Sequence, residues 1–209
     1  MSQIYSEDWQ QAVQQTYYEE YIKLLTEVFL EINQQDVQAM TARIVDCSRK
    51  NIPILVCGNG GSAAIAEHMT CDHTKGVACD TNLKPFFIPL ASNVSMITAI
   101  GNDIAYDQIF AKQIEWFNGS AAVLVISSSG NSPNIINALL AAKQKNYLTM
   151  AMVGFDGGKI FKEKLADVIV HSPSNNYGIV EDSHQSIMHI MAQNIRIANN
   201  KSPDTALKL

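Results

Sequence analysis

Apolar positions in the first 50 residues recur at helical spacing. The stretch "WQQAVQQTYYEEYIKLLTEVFLEI" (residues 9–32) places them three and four residues apart, which is the period of an amphipathic helix. Asp36 is positioned to cap a second helix that runs through Val45. We therefore predict two helices between residues 7 and 49, forming an N-terminal helical appendage over residues 1–50 that belongs to the same domain as the chain that follows.

The first of these helices is apolar over much of its circumference. A single subunit would struggle to cover such a surface, so the helix predicts an oligomer. The apolar positions are Tyr17, Tyr18, Tyr21, Ile22, Leu24, Leu25, Val28, Phe29 and Leu30.

Beyond residue 50, short apolar runs alternate with segments of helical character. The runs are "IPILV", "FFIPL", "AAVLVIS", "LTMAMVG" and "ADVIVHS". Because they lack strict polar alternation, they suit strands that are covered on both faces of a parallel sheet. The segments between them, 61–76, 92–117, 132–145 and 158–165, are long enough for crossover helices. We predict an α/β fold over residues 51–199: a doubly wound, flavodoxin-like, five-stranded parallel sheet sandwiched by helices, closed by a helix from Gly178 to Asn199 and followed by a polar tail, 200–209.

Composition narrows the classes of partner. The 209 residues carry a formal net charge of -5 and a pI near 5.5, which argues against nucleic-acid and membrane-surface partners. The longest apolar runs are too short to span a bilayer, and the N-terminus is polar and acidic rather than signal-like. The four cysteines form no CxxC pair, which favours reduced thiols. We therefore expect a cytoplasmic protein.

A glycine-rich corner follows the first predicted strand. In "CGNGGS", Asn59, Gly60, Gly61 and Ser62 lie between a strand and a helix. Glycines at such a corner let a ligand approach the backbone N–H groups, and the start of a helix favours an anion. The corner thus indicates a phosphate site, with a tight turn needed only for packing as the alternative.

A second corner repeats this chemistry after the third predicted strand. The stretch "ISSSGNSPNII" supplies hydroxyls at Ser127, Ser128, Ser129 and Ser132 beside the start of another helix. Capping and turn formation explain one or two of them, but not the whole cluster. The chain has neither GxGxxG nor GxxxxGK[ST], so dinucleotide and P-loop sites are disfavoured. Ligands of doubly wound sheets collect at the carboxyl ends of strands, so we expect both corners to face one phosphate-binding crevice.

Acid–base side chains occur at helical spacing on two segments. His68 and Asp72 are four residues apart, and Glu181, Gln185 and His189 share another helical face. The two imidazoles and two carboxylates have the composition of a zinc site, and a bound cation would polarise a carbonyl. The alternatives are ordinary surface or core histidines, exposed carboxylates, and favourable charges in the first turn of the last helix.

Five ordered motifs resemble one known family. "CGNGGSAAIAEH", "ASNVSMITAIGNDIAYDQIFAKQ", "ISSSGNSPNII", "VGFDGGK" and "EDSHQSIMH" are similar to the sugar isomerase (SIS) fold and, within it, to the bacterial phosphoheptose isomerases. The resemblance implies a cytoplasmic homotetramer with sites between subunits. Such enzymes interconvert sedoheptulose 7-phosphate and D-glycero-D-manno-heptose 7-phosphate on the route to nucleotide-heptoses for lipopolysaccharide or other surface glycans.

The resemblance also implies a role for each site residue. Gly60 and Gly61 admit the substrate, Asn59 and Asp103 contact the sugar, Asp72 is the base and His189 the acid. The phosphate is held by Ser62, Ser127, Ser128, Ser129 and Ser132. The implied ligands of one Zn²⁺ per subunit are His68, Asp72, Glu181 and His189, with Glu181 also contacting substrate.

This chain departs from the family pattern at a few of these positions. Asp72 stands where glutamate is usual, Glu181 where glutamine is usual, and Gly178 where an aspartate is usual; a family arginine is missing, with Lys75 nearby. These changes leave open another phosphosugar as substrate, or a non-catalytic SIS protein of the type that associates with a replication initiator. Because acid–base groups remain at Asp72 and His189, we expect an enzyme.

Overall fold

Five parallel strands form the centre of the structure, a computed structural model that describes residues 16–201. The strands are β1 (Ile54–Cys57), β2 (Phe87–Pro89), β3 (Ala122–Ser127), β4 (Leu148–Val153) and β5 (Val168–His171). Their order across the sheet is β2-β1-β3-β4-β5, and every neighbouring pair is parallel. Cys57 pairs with Val125 and Ser127 with Val153, so the strand ends that precede both predicted corners lie at the same edge. The predicted five-stranded, flavodoxin-like sheet is confirmed.

The sheet is covered on both faces, which explains the unbroken apolar runs. Every residue of β1 and β3 is buried. Because successive side chains of a strand point to opposite faces, Val56 and Leu124 join the core on one side, while Leu55 and Val123 join the core on the other. Side chains from the two N-terminal helices contribute to the first of these cores.

Those two helices are α1 (Thr16–Glu31) and α2 (Gln34–Arg49). The predicted cap at Asp36 is wrong: Asn33 caps α2, because its backbone is extended and its side chain accepts a hydrogen bond from the N–H of Gln35 at 2.9 Å. Asp36 lies in the first turn instead. The helix also continues past Val45, because Cys47 and Ser48 extend its buried face. Residues 7–15 of the predicted first helix lie outside the described residues.

Each predicted crossover segment contains a helix. Helix α3 (Gly61–Thr70) continues into a π-helical segment, Cys71–Val77, and one further α-helical turn, Ala78–Asp80. The remaining α-helices are α4 (Val94–Asp103), α5 (Ala111–Trp116), α6 (Pro133–Gln144), α7 (Gly158–Lys162) and α8 (Tyr177–Ala198), with a 3₁₀ turn at Tyr106–Gln108. Helix α8 matches the predicted closing helix within one residue at each end. Among the helices of residues 16–201, none combines the length and apolarity needed to cross a membrane.

The strand order fixes where ligands are expected. The order reverses between β1 and β3, so their carboxyl ends flank the topological switch point of the sheet. Helix α3 begins directly after β1 and α6 directly after β3, and α8 packs against α3 and the π-helical segment. The predicted site residues at the starts of α3 and α6 therefore lie at one end of the sheet.

Candidate functional site

The two corners form a small pocket at the carboxyl ends of β1 and β3, here called the serine pocket. Its volume is about 220 Å³. Its lining is Asn59, Ser62, Ile126, Ser127, Ser128, Ser129, Ser132, Tyr177 and Glu181. The structure thus brings together all five predicted phosphate-binding serines, although they come from segments about 65 residues apart in the sequence.

Glycines allow the backbone to turn at both corners. Gly60 has φ 53° and Gly130 has φ 61°, in the left-handed region where side chains are strained. At Gly130 a Cβ atom would also overlap the carbonyl group of Gly157, so this glycine is required for the close approach of two loops. The serine loop is thereby held against the start of α7.

Two hydroxyls of the serine loop accept a backbone hydrogen bond, whereas that of Ser132 makes no capping bond. The Oγ of Ser127 accepts a hydrogen bond from the N–H of Gly130, and the Oγ of Ser129 accepts one from Asn131, each at 3.2 Å. Ser132 is the N-cap residue of α6 but its side chain makes no capping bond. Every one of these hydroxyls keeps its O–H free to donate, which is what an anion requires. The start of α6 points its positive end at the same place.

Asn59 is locked to a residue that sequence reasoning missed. Its Nδ2 donates to Oδ1 of Asn134 at 2.9 Å, and Nδ2 of Asn134 donates back to Oδ1 of Asn59 at 2.8 Å. Asn134 is buried in the first turn of α6. The reciprocal pair ties the glycine corner to the serine corner across the switch point. The available signal in the sequence was an asparagine two residues after Ser132.

A larger cleft, here called the acid–base cleft, lies between the α3–π segment and α8. Its volume is about 570 Å³. Its lining is His68, Cys71, Asp72, Lys75, Gly76, Cys79, Asp80, His189, Ala192, Gln193 and Arg196. Asp72 and His189, 117 residues apart in sequence, meet here at 2.8 Å between Oδ2 and Nδ1.

Asp72 lies between the two imidazoles. Its Oδ1 is 3.6 Å from Nε2 of His68, and the imidazoles of His68 and His189 contact edge to face with centroids 4.9 Å apart. Asp72 is the second residue of the π-helical segment, where the hydrogen-bonding step changes just after His68. Such π-helical turns are frequent at functional sites, and here the segment carries the carboxylate towards α8.

Three of the four predicted metal ligands form a cluster. One ligand atom from each of His68, Asp72 and His189 lies within 4.8 Å of the others, and two imidazole nitrogens with a carboxylate oxygen are donors that Zn²⁺ accepts. Glu181 is not part of this cluster. Its carboxylate lies against Gly61, where a Cβ atom would collide with it, and it lines the serine pocket. Its role as a ligand stays a prediction.

Asp103 is a predicted site residue that lines neither the serine pocket nor the acid–base cleft. It is the last residue of α4, is exposed, and accepts a hydrogen bond from the side chain of Asn102 at 2.8 Å. Its predicted contact with the sugar stays a prediction.

Two further histidines lie on the same helical segments but face inwards. His73 and His184 are fully buried, and burial lowers the pKa of each to about 4. Nε2 of His73 and both ring nitrogens of His184 make no well-formed hydrogen bond within the described residues, although the nearby Val153 carbonyl opposes part of the effect of burial on His184. His184 is therefore a core residue in the single chain.

Comparison with known proteins gives phosphoheptose isomerases as relatives both by sequence and by structure. The SIS domain family matches residues 16–154. A phosphoheptose isomerase from Geobacter sp. (strain M21) is 37% identical over 156 residues, covering 74% of this chain and 80% of the relative. A phosphoheptose isomerase from Sulfurimonas denitrificans is 41% identical over 138 residues, covering 66% and 69%. The structure of phosphoheptose isomerase GmhA from Neisseria gonorrhoeae superposes with a TM-score of 0.77 at 30% identity, covering 86% of this chain and 95% of that one.

Proposed function

The chain belongs to the SIS domain family and, within it, to the phosphoheptose isomerases, and from this premise we propose that it interconverts sedoheptulose 7-phosphate and D-glycero-D-manno-heptose 7-phosphate. The coarser statement, that it is a phosphosugar isomerase, follows from the family itself. The observation that carries the proposal is the Asp72–His189 pair, joined at 2.8 Å in a cleft lined by α8, the helix that also lines the serine pocket through Glu181.

The phosphate is assigned to the serine pocket. Its hydroxyls have O–H groups to donate, the start of α6 adds a positive dipole end, and Gly60 leaves open space in front of the glycine corner. Ser62 and the serines of the 127–132 loop bind the phosphate oxygens, while Asn59 is assigned to the sugar. With the phosphate fixed there, the carbonyl end of the sugar extends towards α8.

The reaction needs a base at carbon and an acid at oxygen. In the roles that the family implies, Asp72 removes the proton from the carbon beside the carbonyl, and His189 donates a proton to the carbonyl oxygen, which gives an enediol. Asp72 returns its proton to the other carbon while His189 takes one back from the other hydroxyl, so no proton is gained or lost. The 2.8 Å separation of Asp72 and His189 supports this assignment, because two groups this close can reach neighbouring atoms of one substrate.

One Zn²⁺ per subunit would be held by His68, Asp72 and His189, with Glu181 as the proposed fourth ligand. When bound, it would polarise the carbonyl and hydroxyl of the substrate. The nitrogen and oxygen donors of the cluster fit this ion.

The active form is proposed to be a homotetramer in the cytoplasm whose sites lie between subunits. Helix α1 exposes large apolar side chains, including Tyr18 at 73% and Leu30 at 81% exposure, which a neighbouring subunit would cover. A neighbouring subunit is also the proposed route by which Asp103 reaches the sugar. Size-exclusion chromatography with light scattering tests this, and a stable monomer would contradict it. The product would supply nucleotide-heptose synthesis for surface glycans.

The isomerase is tested by turnover of sedoheptulose 7-phosphate with and without added Zn²⁺. We expect turnover in the wild type and its loss in Asp72→Asn and His189→Ala. Asp46→Asn is the matched control, because Asp46 lies on α2 and lines neither the serine pocket nor the acid–base cleft.

The same experiment separates the alternatives. No turnover in a folded, Zn²⁺-loaded tetramer would contradict the heptose assignment and lead to a panel of other phosphosugars. Another sugar is the alternative because the start of α8 departs from the family pattern beside the serine pocket: next to the lining residue Tyr177, Gly178 has the Tyr21 hydroxyl 3.1 Å from where a Cβ atom would lie. Failure across the panel would favour the non-catalytic binding protein.

A further inference from the structure

The side-chain amide of Gln185 lies between the two imidazoles of the acid–base cleft. Its Nε2 is 2.7 Å from Nδ1 of His68 and 3.1 Å from Nε2 of His189. Gln185 is half-buried on α8, one helical turn before His189. With Asp72 on the other side, the four side chains form a closed ring: Asp72, His189, Gln185, His68 and back to Asp72.

Matching donors with acceptors assigns the protons of this ring. Asp72 as a carboxylate only accepts, so Nδ1 of His189 carries the proton that points at it. The Nε2 of a neutral His189 is then a lone pair, which accepts one N–H of the Gln185 amide. The second N–H of that amide donates to Nδ1 of His68, which leaves Nε2–H of His68 facing Asp72. The three shorter contacts of the ring are thus hydrogen bonds with matched donors and acceptors, and the 3.6 Å contact between His68 and Asp72 is a longer electrostatic one.

A cation and the Gln185 amide compete for the same electron pairs. A neutral imidazole has one lone pair, and in this ring both lone pairs point at Gln185. Reversing either tautomer would free the other nitrogen but would turn a lone pair towards the Asp72 carboxylate. A metal held by both imidazoles therefore requires the Gln185 amide to turn or move away. At the nitrogens that face Gln185 the metal takes the place of the amide, and at those that face Asp72 the remaining ring N–H groups would point at the amide N–H donors.

We propose that Gln185 is a positioning residue that closes the acid–base cleft in the metal-free protein, holding both imidazoles in fixed tautomers and opposing metal entry. A glutamine is suited to this task because one amide nitrogen presents two N–H donors. Leucine has none, and glutamate would only accept. The inference rests on the proposed metal-assisted isomerase for its purpose, but the ring itself is independent of the substrate.

The test measures the affinity of metal-free protein for Zn²⁺ by competition with a chromophoric chelator. The variants are Gln185→Leu, similar in size, and Gln185→Ala, which leaves the space empty. We expect both to bind Zn²⁺ about ten-fold more tightly than the wild type, equivalent to about 1.4 kcal/mol, because two hydrogen bonds no longer have to be broken. The matched control is Gln193→Leu, the same change two turns further along α8 in the same cleft, which should leave the affinity unchanged.

The visible spectrum of bound Co²⁺ gives a second readout of the same site. In the Gln185 variants it should keep the form of the wild type, because Gln185 is not a ligand in this proposal. Weaker Zn²⁺ binding with an altered Co²⁺ spectrum would overturn the proposal and make the amide oxygen a ligand, and unchanged affinity would overturn it as well. Neither readout uses turnover, so an inactive protein whose Gln185 variants still tighten Zn²⁺ would contradict the proposed substrate and leave this inference standing.

Discussion

The four histidines of α3, the π-helical segment and α8 form two pairs with opposite surroundings. His68 and His189 face the acid–base cleft, where their side chains are 48% and 39% exposed and hydrogen-bonded in a ring. His73 and His184, five residues from the first pair in each case, are fully buried and largely without partners. Five residues along a helix, a side chain points towards the opposite side. The α3–π segment and α8 therefore each carry one histidine that faces the cleft and one that lies in the core. Residue type alone therefore does not identify the functional histidines.

The same substitution made in each pair tests whether the two pairs have different roles. His189→Leu should lower kcat by about 10²- to 10⁴-fold, the range of a lost general acid–base group, while the free energy of unfolding falls by only about 1 kcal/mol, because the hydrogen bonds that are lost lie at a site 39% exposed to solvent. His184→Leu should do the reverse and retain turnover at pH 7. Steady-state kinetics and urea unfolding of both variants measure the two quantities. Equal loss of turnover in both variants would abolish the distinction.

Acid should destabilise the folded protein through the buried pair, His73 and His184. The pKa of His184 is lowered from 6.5 to about 4, so below pH 6.5 the unfolded chain binds a proton that the folded chain refuses. The free energy of unfolding should then fall as the pH drops from 6.5 to 4, by about 3 kcal/mol for this residue, at 1.36 kcal/mol per pKa unit. His184→Leu should remove that part of the loss, leaving the part due to His73. Urea unfolding at several pH values measures it.

The pair that faces the cleft, His68 and His189, provides the control for the acid experiment. His189→Leu, measured over the same pH range, should keep the full acid sensitivity of the wild type. A His184→Leu curve that runs parallel to the wild-type curve would show that this buried imidazole is not responsible.

The fold was predictable because buried strands appear in the sequence as continuous apolar runs. Runs such as "AAVLVIS" are apolar throughout since β3 is covered on both faces, and the corners show their glycines and serines directly. Helix boundaries were less certain, as the cap at Asn33 shows: two side chains three residues apart could each accept a backbone N–H, and only the extended backbone at Asn33 decides.

The site was predictable where it follows helical spacing and not where it depends on meeting across the fold. His68 with Asp72, and Gln185 with His189, are each one turn apart and can be read from the sequence. The Asn59–Asn134 pair and the contacts of Gln185 are not readable, because they depend on how α3, α6 and α8 approach one another. The π-helical segment "CDHTKGV" carries no residue that marks the change of hydrogen bonding.

The serine pocket extends the comparison to a second residue type. Ser132 makes no side-chain capping bond, so Ser132→Ala should remove only a donor to the phosphate. A hydrogen bond to a charged group contributes about 1.5 to 3 kcal/mol, so kcat/KM should fall by about 10- to 100-fold with little change in stability. Ser127→Ala should also lose stability, because its Oγ accepts the N–H of Gly130. Kinetics and thermal unfolding of both variants test the contrast, and identical stability losses would contradict it.

The smallest effect is expected for the affinity for phosphate in a Glu181 variant. The negative charge of Glu181 suits a metal ligand but disfavours a phosphate nearby. Its carboxylate lines the serine pocket, so in the metal-free protein it repels the phosphate assigned there. Glu181→Gln keeps the shape and removes the charge, and should raise the affinity for inorganic phosphate about five-fold, since one unit charge near 4 Å contributes about 1 kcal/mol in water. Glu163→Gln, at the C-terminal cap of α7 and in neither pocket, controls for net charge. Calorimetric titration of metal-free protein measures the affinity. If Glu181→Gln bound phosphate no better than this control, the carboxylate would have to face the acid–base cleft rather than the phosphate, and its predicted role as a metal ligand would gain support.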